Sequence, residues 1–356
     1  MGLSAIEAAG PLARAGRQTV ARHFTPVMRY LDAEKPMLSI GYDWEEFRLI
    51  TTVGLNLSID RTIELARLIP YGTNRALSTR LDPGGKAVNV ALMAARLGAK
   101  AAITGFMREE SARFFLDKLE SGGVEADFHT LPGAMRVNLK ALDRDAGAVT
   151  EFNESGAPVS PEDLENVAQR IAARAEKGGW LVLTGSLPPG CPKDFYLKLI
   201  RAAGGCSVAL DADGEALKQA VEGKPRLVKP NRKELEGLTG RTMETVDDVR
   251  RGAMALIERG VEIAVVSLGD KGALAVSRGE CLFAQPPQVT VQSTVGAGDA
   301  MVAGLTVALE NGADLHSALR TAVAAAGAAV GTPGTQAAPL EFYQHIYETI
   351  TIQKVM

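Results

Sequence analysis

The sequence predicts an α/β protein: a mostly parallel central sheet covered by helices on both faces, with a small separate β-sheet beside it. Three observations predict this. From Arg48 onward, short apolar runs of strand length alternate with helical patterns, the rhythm of βαβ crossovers. The strand-like runs WLVLTG, SVALD, RLVKPN and IAVVSLG lead into the polar tails GSLPPG, DADG, KPN and SLGDKG. Such tails sit where parallel sheets bind ligands. Two β-rich segments, 61–81 and 130–156, break the rhythm and read either as a lid over the site or as a pair of edge hairpins.

In chain order, residues 1–47 stand apart. They are rich in Ala and Arg (Arg14, Arg17, Arg22, Arg29) and poor in acids before Asp32. They read as an N-terminal extension, disordered or helical, of bacterial type or as an organellar transit peptide. Residues 48–356 follow as one domain. LITTVGLN is β-rich and runs into SID, which places Asp60 at the end of the first strand. After PGGK, AVNVALMAARLG has helical spacing and stops at Gly98; Lys86 and Asn89 fall in its first turn. AAITGF is the next strand. VNLKAL, a turn at Asp145-Ala146-Gly147, and AVTEF form a hairpin. In SPEDLENVAQRIAARAEKGG, Ser160 is the N-cap, Pro161 suits the first turn and Gly178 the end. Leu164, Val167, Ile171 and Ala175 give this helix one buried face. Near the C-terminus VTVQS is strand-like and MVAGLTVAL helical.

Composition excludes several functions. A net charge of −3 over 356 residues gives no electrostatic attraction to nucleic acid. No apolar run is long enough to span a bilayer. Cys191, Cys206 and Cys281 are scattered, which fits a reducing cytoplasm and neither a disulfide framework nor a zinc site. The four histidines share no ligand-like spacing.

Four motifs carry chemistry. In STVGAGDAMVAG, Gly296-Ala297-Gly298 falls at a helix N-terminus, where unpaired N–H groups and the helix dipole attract anions. Asp299 behind it is placed either as a base for a substrate hydroxyl or as the helix cap. In VKPNRKE, Asn231 and Glu234 have capping-box spacing; alternatively Glu234 lies near a phosphate-bound Mg²⁺. In DPGGKAVN, Lys86 opposes the helix dipole, which points to an anionic or polyhydroxyl ligand or to simple exposure. Asp60 can accept bonds from sugar hydroxyls or close an Asx-turn. GGKAVN has neither the spacing nor the Ser/Thr of a Walker A loop.

Taken in order, NLSIDRT, NRA, PGGKAVNVA, RVNLK, TEFNESG, TGSLPPG, LDADGEAL, VKPNRKEL, VVSLGDKGAL and STVGAGDAMVAG make residues 49–336 resemble the ribokinase-like (PfkB) sugar kinases, in the branch of 1-phosphofructokinase and other hexose-phosphate kinases. The resemblance implies a ribokinase-like three-layer sandwich with a β-sheet lid. It implies ATP- and Mg²⁺-dependent phosphorylation of a sugar phosphate, most simply fructose 1-phosphate to fructose 1,6-bisphosphate, and a homodimer formed through the lid. It makes Asp299 the general base and Gly296, Ala297 and Gly298 the anion hole. Asp60, Gly85 and Asn89 would hold sugar hydroxyls with Lys86 beside them, and Arg136, with Arg75, the sugar's phosphate. Lys229, Asn231, Ser267 and Gly269 would serve the nucleotide, and Glu234 the metal. The chain departs from the family pattern at Leu57, where proline is usual, at Ala300 for serine, at LDADG, and at MREES (107–111). Fructose 6-phosphate or tagatose 6-phosphate, a plain sugar or nucleoside, and a non-catalytic sensor are the alternatives.

Overall fold

The computed structural model describes residues 49–175, 179–332 and 338–355; the expectations for residues 1–47 and for Gly178 lie outside them. The elements are β1 (Ile50–Gly54), β2 (Ser58–Leu65), β3 (Ser78–Gly84), α1 (Lys86–Arg96), β4 (Ala101–Arg108), α2 (Ala112–Ser121), β5 (Val124–Leu131), β6 (Arg136–Asp143), β7 (Ala148–Asn153), α3 (Pro161–Arg174), β8 (Trp180–Thr184), α4 (Phe195–Ala202), β9 (Ser207–Asp211), α5 (Gly214–Val221), β10 (Leu227–Val228), α6 (Arg232–Thr239), α7 (Val246–Glu258), β11 (Ile263–Ser267), β12 (Ala273–Ser277), β13 (Cys281–Ala284), α8 (Ala297–Glu310), α9 (Leu315–Val330), α10 (Leu340–Thr349) and β14 (Ile352–Lys354).

Ten of the described strands form one sheet, ordered β14-β13-β12-β11-β10-β9-β8-β1-β4-β5. From β11 to β5 every pairing is parallel; β12, β13 and β14 add an antiparallel edge. Strand residues alternate between two cores, as the period of two requires. Val182 joins the core under α1, α2, α8, α9 and α10, while Leu181 and Leu183 join the one under α3 to α7. This is the three-layer α/β sandwich. Helix α3 begins as its sequence predicts, with a complete Ser160–Asp163 capping box and Pro161 in the first turn, and it ends at Arg174. Helix α8 is buried continuously from Asp299 to Leu309. A Cβ on Gly304 would lie 2.7 Å from the Ala322 Cα, so glycine permits the close approach of α8 and α9.

Strands β3-β2-β6-β7 form the small sheet. Its register sorts the side chains. Asp82, Asp60, Asn138 and Asn153 share one row, and Arg80, Thr62, Lys140 and Glu151 the next row on that face. Leu81, Arg61, Leu139 and Phe152 form a row on the opposite face.

Three expectations change. Asp60 is not at the end of the first strand: β1 stops at Gly54, and Asp60 belongs to β2 in the other sheet. The apolar run conceals a crossing between sheets, where the Asn56 side chain bonds Ser186 and Ser155 and its carbonyl accepts Arg136. The small sheet accordingly starts at Ser58 and its second strand runs to Gly84, while residues 130 and 131 end β5. VTVQS is not a strand; Gln292 and Ser293 N–H groups bond the Val330 carbonyl at the end of α9, and Val291 is exposed.

Candidate active site

The polar tails meet at the carboxyl ends of β1, β8, β9 and β10, where they line a cleft of about 940 Å³. The polar face of the small sheet lines it too, through Asp60, Arg136, Asn138, Lys140, Glu151 and Asn153.

The G-A-G turn opens α8. Gly296 is the N-cap at φ 81°, a left-handed conformation that favours glycine, and Ala297 and Gly298 begin the helix. Gly296, Gly298 and Asp299 line the cleft. Asp299 does not cap the helix: no side chain caps it. Its Oδ2 instead accepts a 2.8 Å bond from Asn89 Nδ2 on α1. Burial pushes the Asp299 carboxyl up to about 6; the Asp211 carboxylate adds to the rise, and Lys86, Asn89 and Lys229 oppose it. A carboxyl poised near neutrality beside a helix N-terminus has the proton affinity of a general base.

Gly85 precedes α1 with φ 105° and Lys86 is its first residue. Lys86 Nζ reaches Asp211 Oδ2 at 3.2 Å, and Lys229 Nζ lies 3.2 Å from Asp211 Oδ1. Burial works against the Lys86 ammonium, yet Asp211, Asp299 and Glu234 outweigh it and hold it above the ordinary lysine range. Burial would likewise raise Asp211, but Lys229 and Lys86 hold it below the usual carboxylate range.

Asp60 and Arg136 reach the cleft already partnered. Asp60 Oδ2 accepts a 2.6 Å bond from the buried Lys140, and its Oδ1 accepts from Ser58 at 2.9 Å. Arg136 donates to the carbonyls of Asn56 (2.9 Å) and Glu154 (2.6 Å) and to Asn138 Oδ1, and burial lowers its proton affinity. Arg75 lies in the exposed connection between β2 and β3 and does not line the cleft.

Asn231 and Glu234 line the cleft and also form a complete capping box at the start of α6. Burial raises the Glu234 carboxyl. Ser267 borders both the cleft and a neighbouring cavity of about 680 Å³ between α6, α7 and the β11–β12 turn, which Gly269 lines. Among the described residues no group of three or more His, Cys, Asp or Glu side chains stands ready to hold a metal. The donors present fit Mg²⁺ in one form, an ion that would be held chiefly by nucleotide phosphates and water, with carboxylates of the cleft such as Glu234 to assist.

The profile of the pfkB family carbohydrate kinases matches residues 50–342. The chain belongs to the pfkB family of carbohydrate kinases. It is 38% identical over 307 residues to a 1-phosphofructokinase of Rhodobacter capsulatus, covering 85% of this chain and 97% of that one. Two solved structures of Escherichia coli phosphofructokinase-2 are similar to this pfkB kinase. The one in complex with fructose-6-phosphate has a TM-score of 0.79 at 32% identity, over 85% of this chain and 98% of that one. The tetrameric inhibited form has a TM-score of 0.78 at 33% identity, with the same coverage.

Lys140 and Asp211 are cleft residues that the sequence did not single out. Lys140 sits in RVNLK as the natural partner of an acid on the paired strand, but the β2–β6 register that joins it to Asp60 is parallel and 80 residues apart. Asp211 sits in LDADG, a segment notable in sequence chiefly as a departure. The available signal was Lys86, a cation at a helix N-terminus in want of a carboxylate.

Proposed function

We propose that this kinase transfers the γ-phosphoryl group of ATP to a hydroxyl of a sugar phosphate, with fructose 1-phosphate as acceptor and fructose 1,6-bisphosphate as product. The observation that carries the chemistry is Asp299: a buried carboxyl with proton affinity near neutrality, fixed by Asn89 at the N-terminus of α8. Support for the acceptor comes from the 1-phosphofructokinase relatives.

In this reading Asp299 takes the proton from the acceptor hydroxyl as that oxygen attacks the γ-phosphorus, whose bond to ADP breaks so that ADP leaves. The N–H groups of Gly296, Ala297 and Gly298 receive the transferring phosphoryl oxygens. Little covalent work falls to the protein, because phosphoryl transfer needs positioning and charge stabilisation. Lys229 and Asn231 serve the nucleotide's phosphates, and Ser267 and Gly269 its base side. Mg²⁺, when bound, would neutralise phosphate charge, and Glu234 would be the residue that serves it. Asp60, Gly85 and Asn89 orient sugar hydroxyls, with Lys86 beside them; Arg136 shapes and charges the phosphate end, and Arg75 lies outside this set.

Coupled ADP-release assays with fructose 1-phosphate, fructose 6-phosphate and tagatose 6-phosphate test the acceptor. Highest kcat/KM with fructose 1-phosphate is expected. Preference for fructose 6-phosphate would support the second reading, which the likeness to a phosphofructokinase-2 with that sugar bound favours. No turnover with any of them would defeat the phosphosugar assignment. Arg136→Ala should raise KM for the phosphorylated sugar without a matching change for fructose.

The protein works as a homodimer in which the small sheets cover each other and close over the clefts. Support lies in the two-faced small sheet: its polar face lines the cleft, while Leu81 and Phe152 on the other are 51% and 56% exposed. An exposed apolar sheet face is a place for a partner.

A further inference from the structure

Asp211 has no role in the reaction as described, yet it is the most completely buried carboxylate of the cleft, 1% exposed at the carboxyl end of β9. Three elements converge on it. Lys86 from α1 and Thr184 from the end of β8 both donate to Oδ2, at 3.2 and 3.1 Å. Lys229, just past β10, brings its ammonium to 3.2 Å from Oδ1, which has no hydrogen-bond donor in line with it.

The two lysines come from opposite sides of the cleft. Lys86 opens the helix that carries Asn89, on the acceptor side. Lys229 belongs to the V-K-P-N segment on the nucleotide side, and its ammonium lies against the G-A-G turn: a Cβ on Gly298 would stand 3.6 Å from Lys229 Nζ. Within this triad, one carboxylate between two ammoniums leaves one positive charge in excess, and the neighbouring Asp299 and Glu234 carboxyls act on the same ammoniums. A dianionic phosphate bridging the two substrates' sites would meet that excess.

We propose that Asp211 is a positioning residue: its buried carboxylate ties the Lys86 and Lys229 side chains together beneath the G-A-G turn and so sets where the transferring phosphoryl group is gripped. The assignment rests on the phosphoryl-transfer reading above. Lysine is a flexible point charge on a long stem. Without a fixed counterion two adjacent ammoniums repel and move apart, and the electrostatic grip is lost where it is needed. Asp211 also acts on the base. The charged groups facing Asp299 are Asp211, Lys86 and Lys229; removing the Asp211 charge leaves two cations facing Asp299, which favour its ionised form.

The test is Asp211→Asn, measured alone and in a Lys86→Met/Lys229→Met background, with circular dichroism to verify folding. Alone, kcat should fall about 100-fold, the scale of an ångström of misplacement, and the acidic limb of the kcat/KM profile should move to lower pH. In the double-lysine background, the same substitution should cost no further activity. An equal loss in both backgrounds, or an unmoved acidic limb, would overturn the proposal. If the lysine replacements alone leave kcat intact, the phosphate-gripping reading itself fails, and the proposal with it. Should Asp211→Asn not fold, Thr184→Val removes one donor to Oδ2 and keeps every charge. It should lower kcat several-fold with the acidic limb in place; full activity there would count against the clamp.

Discussion

Replacing Asp299 by Asn should abolish most activity and at the same time make the protein more stable, by an amount that depends on pH. A carboxyl that ionises near 3.9 in the unfolded chain and at about 6 in the fold binds more protons folded than unfolded between those values. Stability therefore falls as pH rises through that window, and the full cost is present above it. At about 1.4 kcal/mol per pH unit, the cost is about 1–2 kcal/mol at about pH 5 and about 3 kcal/mol at about pH 8. The isosteric amide carries no charge to desolvate, and its oxygen can still accept from Asn89 Nδ2. Urea unfolding of both proteins without ligand, across that pH range, should show the variant ahead by a margin that grows with pH. The kinetic counterpart is a loss of about 10²–10⁴-fold in kcat, the usual worth of a general base. A margin that is flat with pH, or a wild type more stable than the variant at about pH 8, would refute the view that this acid is held against its own preference. Residual activity near wild type would remove Asp299 from the base role.

The remaining predictions concern the frame around the site. Lys140→Ala leaves the Asp60 carboxylate, 9% exposed, without its cation; an equilibrium unfolding measurement should show a loss of about 3–5 kcal/mol. Phe152→Asp combined with Leu81→Asp places charge on the apolar face of the small sheet, and light scattering should then report dimers for the wild type and monomers for the variant. Ser160→Ala removes the side-chain half of the α3 capping box and should cost about 1 kcal/mol of stability.

What was legible in the sequence, and what was not, follows the range of the interactions concerned. The βαβ rhythm, the hairpin at Asp145-Ala146-Gly147, the Ser160 cap and the glycine turn into α8 are set by residues within a few positions of one another. Local physics governs them, and they can be read from the chain alone. VTVQS fails for the converse reason: β-branched composition favours a strand only where a partner strand waits, and here the hydrogen bonds go to the end of α9. The crossing at Asn56 was hidden because an apolar run looks the same whether it stays in one sheet or passes to another.

The cleft shows a sharper version of the same limit. Asn231–Glu234 read equally as a cap and as a nucleotide contact, and the two are compatible: Oε2 of Glu234 closes the capping box while the residue lines the cleft. Asp299 also stood between a cap and a base, but there the alternatives exclude each other. Gly296 occupies the N-cap position at a left-handed φ and leaves the acid at the third helical residue, aimed at Asn89 and not at its own backbone. Asp211 could not be read at all, because its partners lie at positions 86, 184 and 229 and no spacing rule connects them. Yet the chain did carry half of the information. A lysine at the first position of a helix works against the dipole, and a nearby carboxylate is the natural compensation. Asp211 is that compensation, and because it serves Lys229 as well, a local electrostatic misfit becomes the link between the two sides of the cleft.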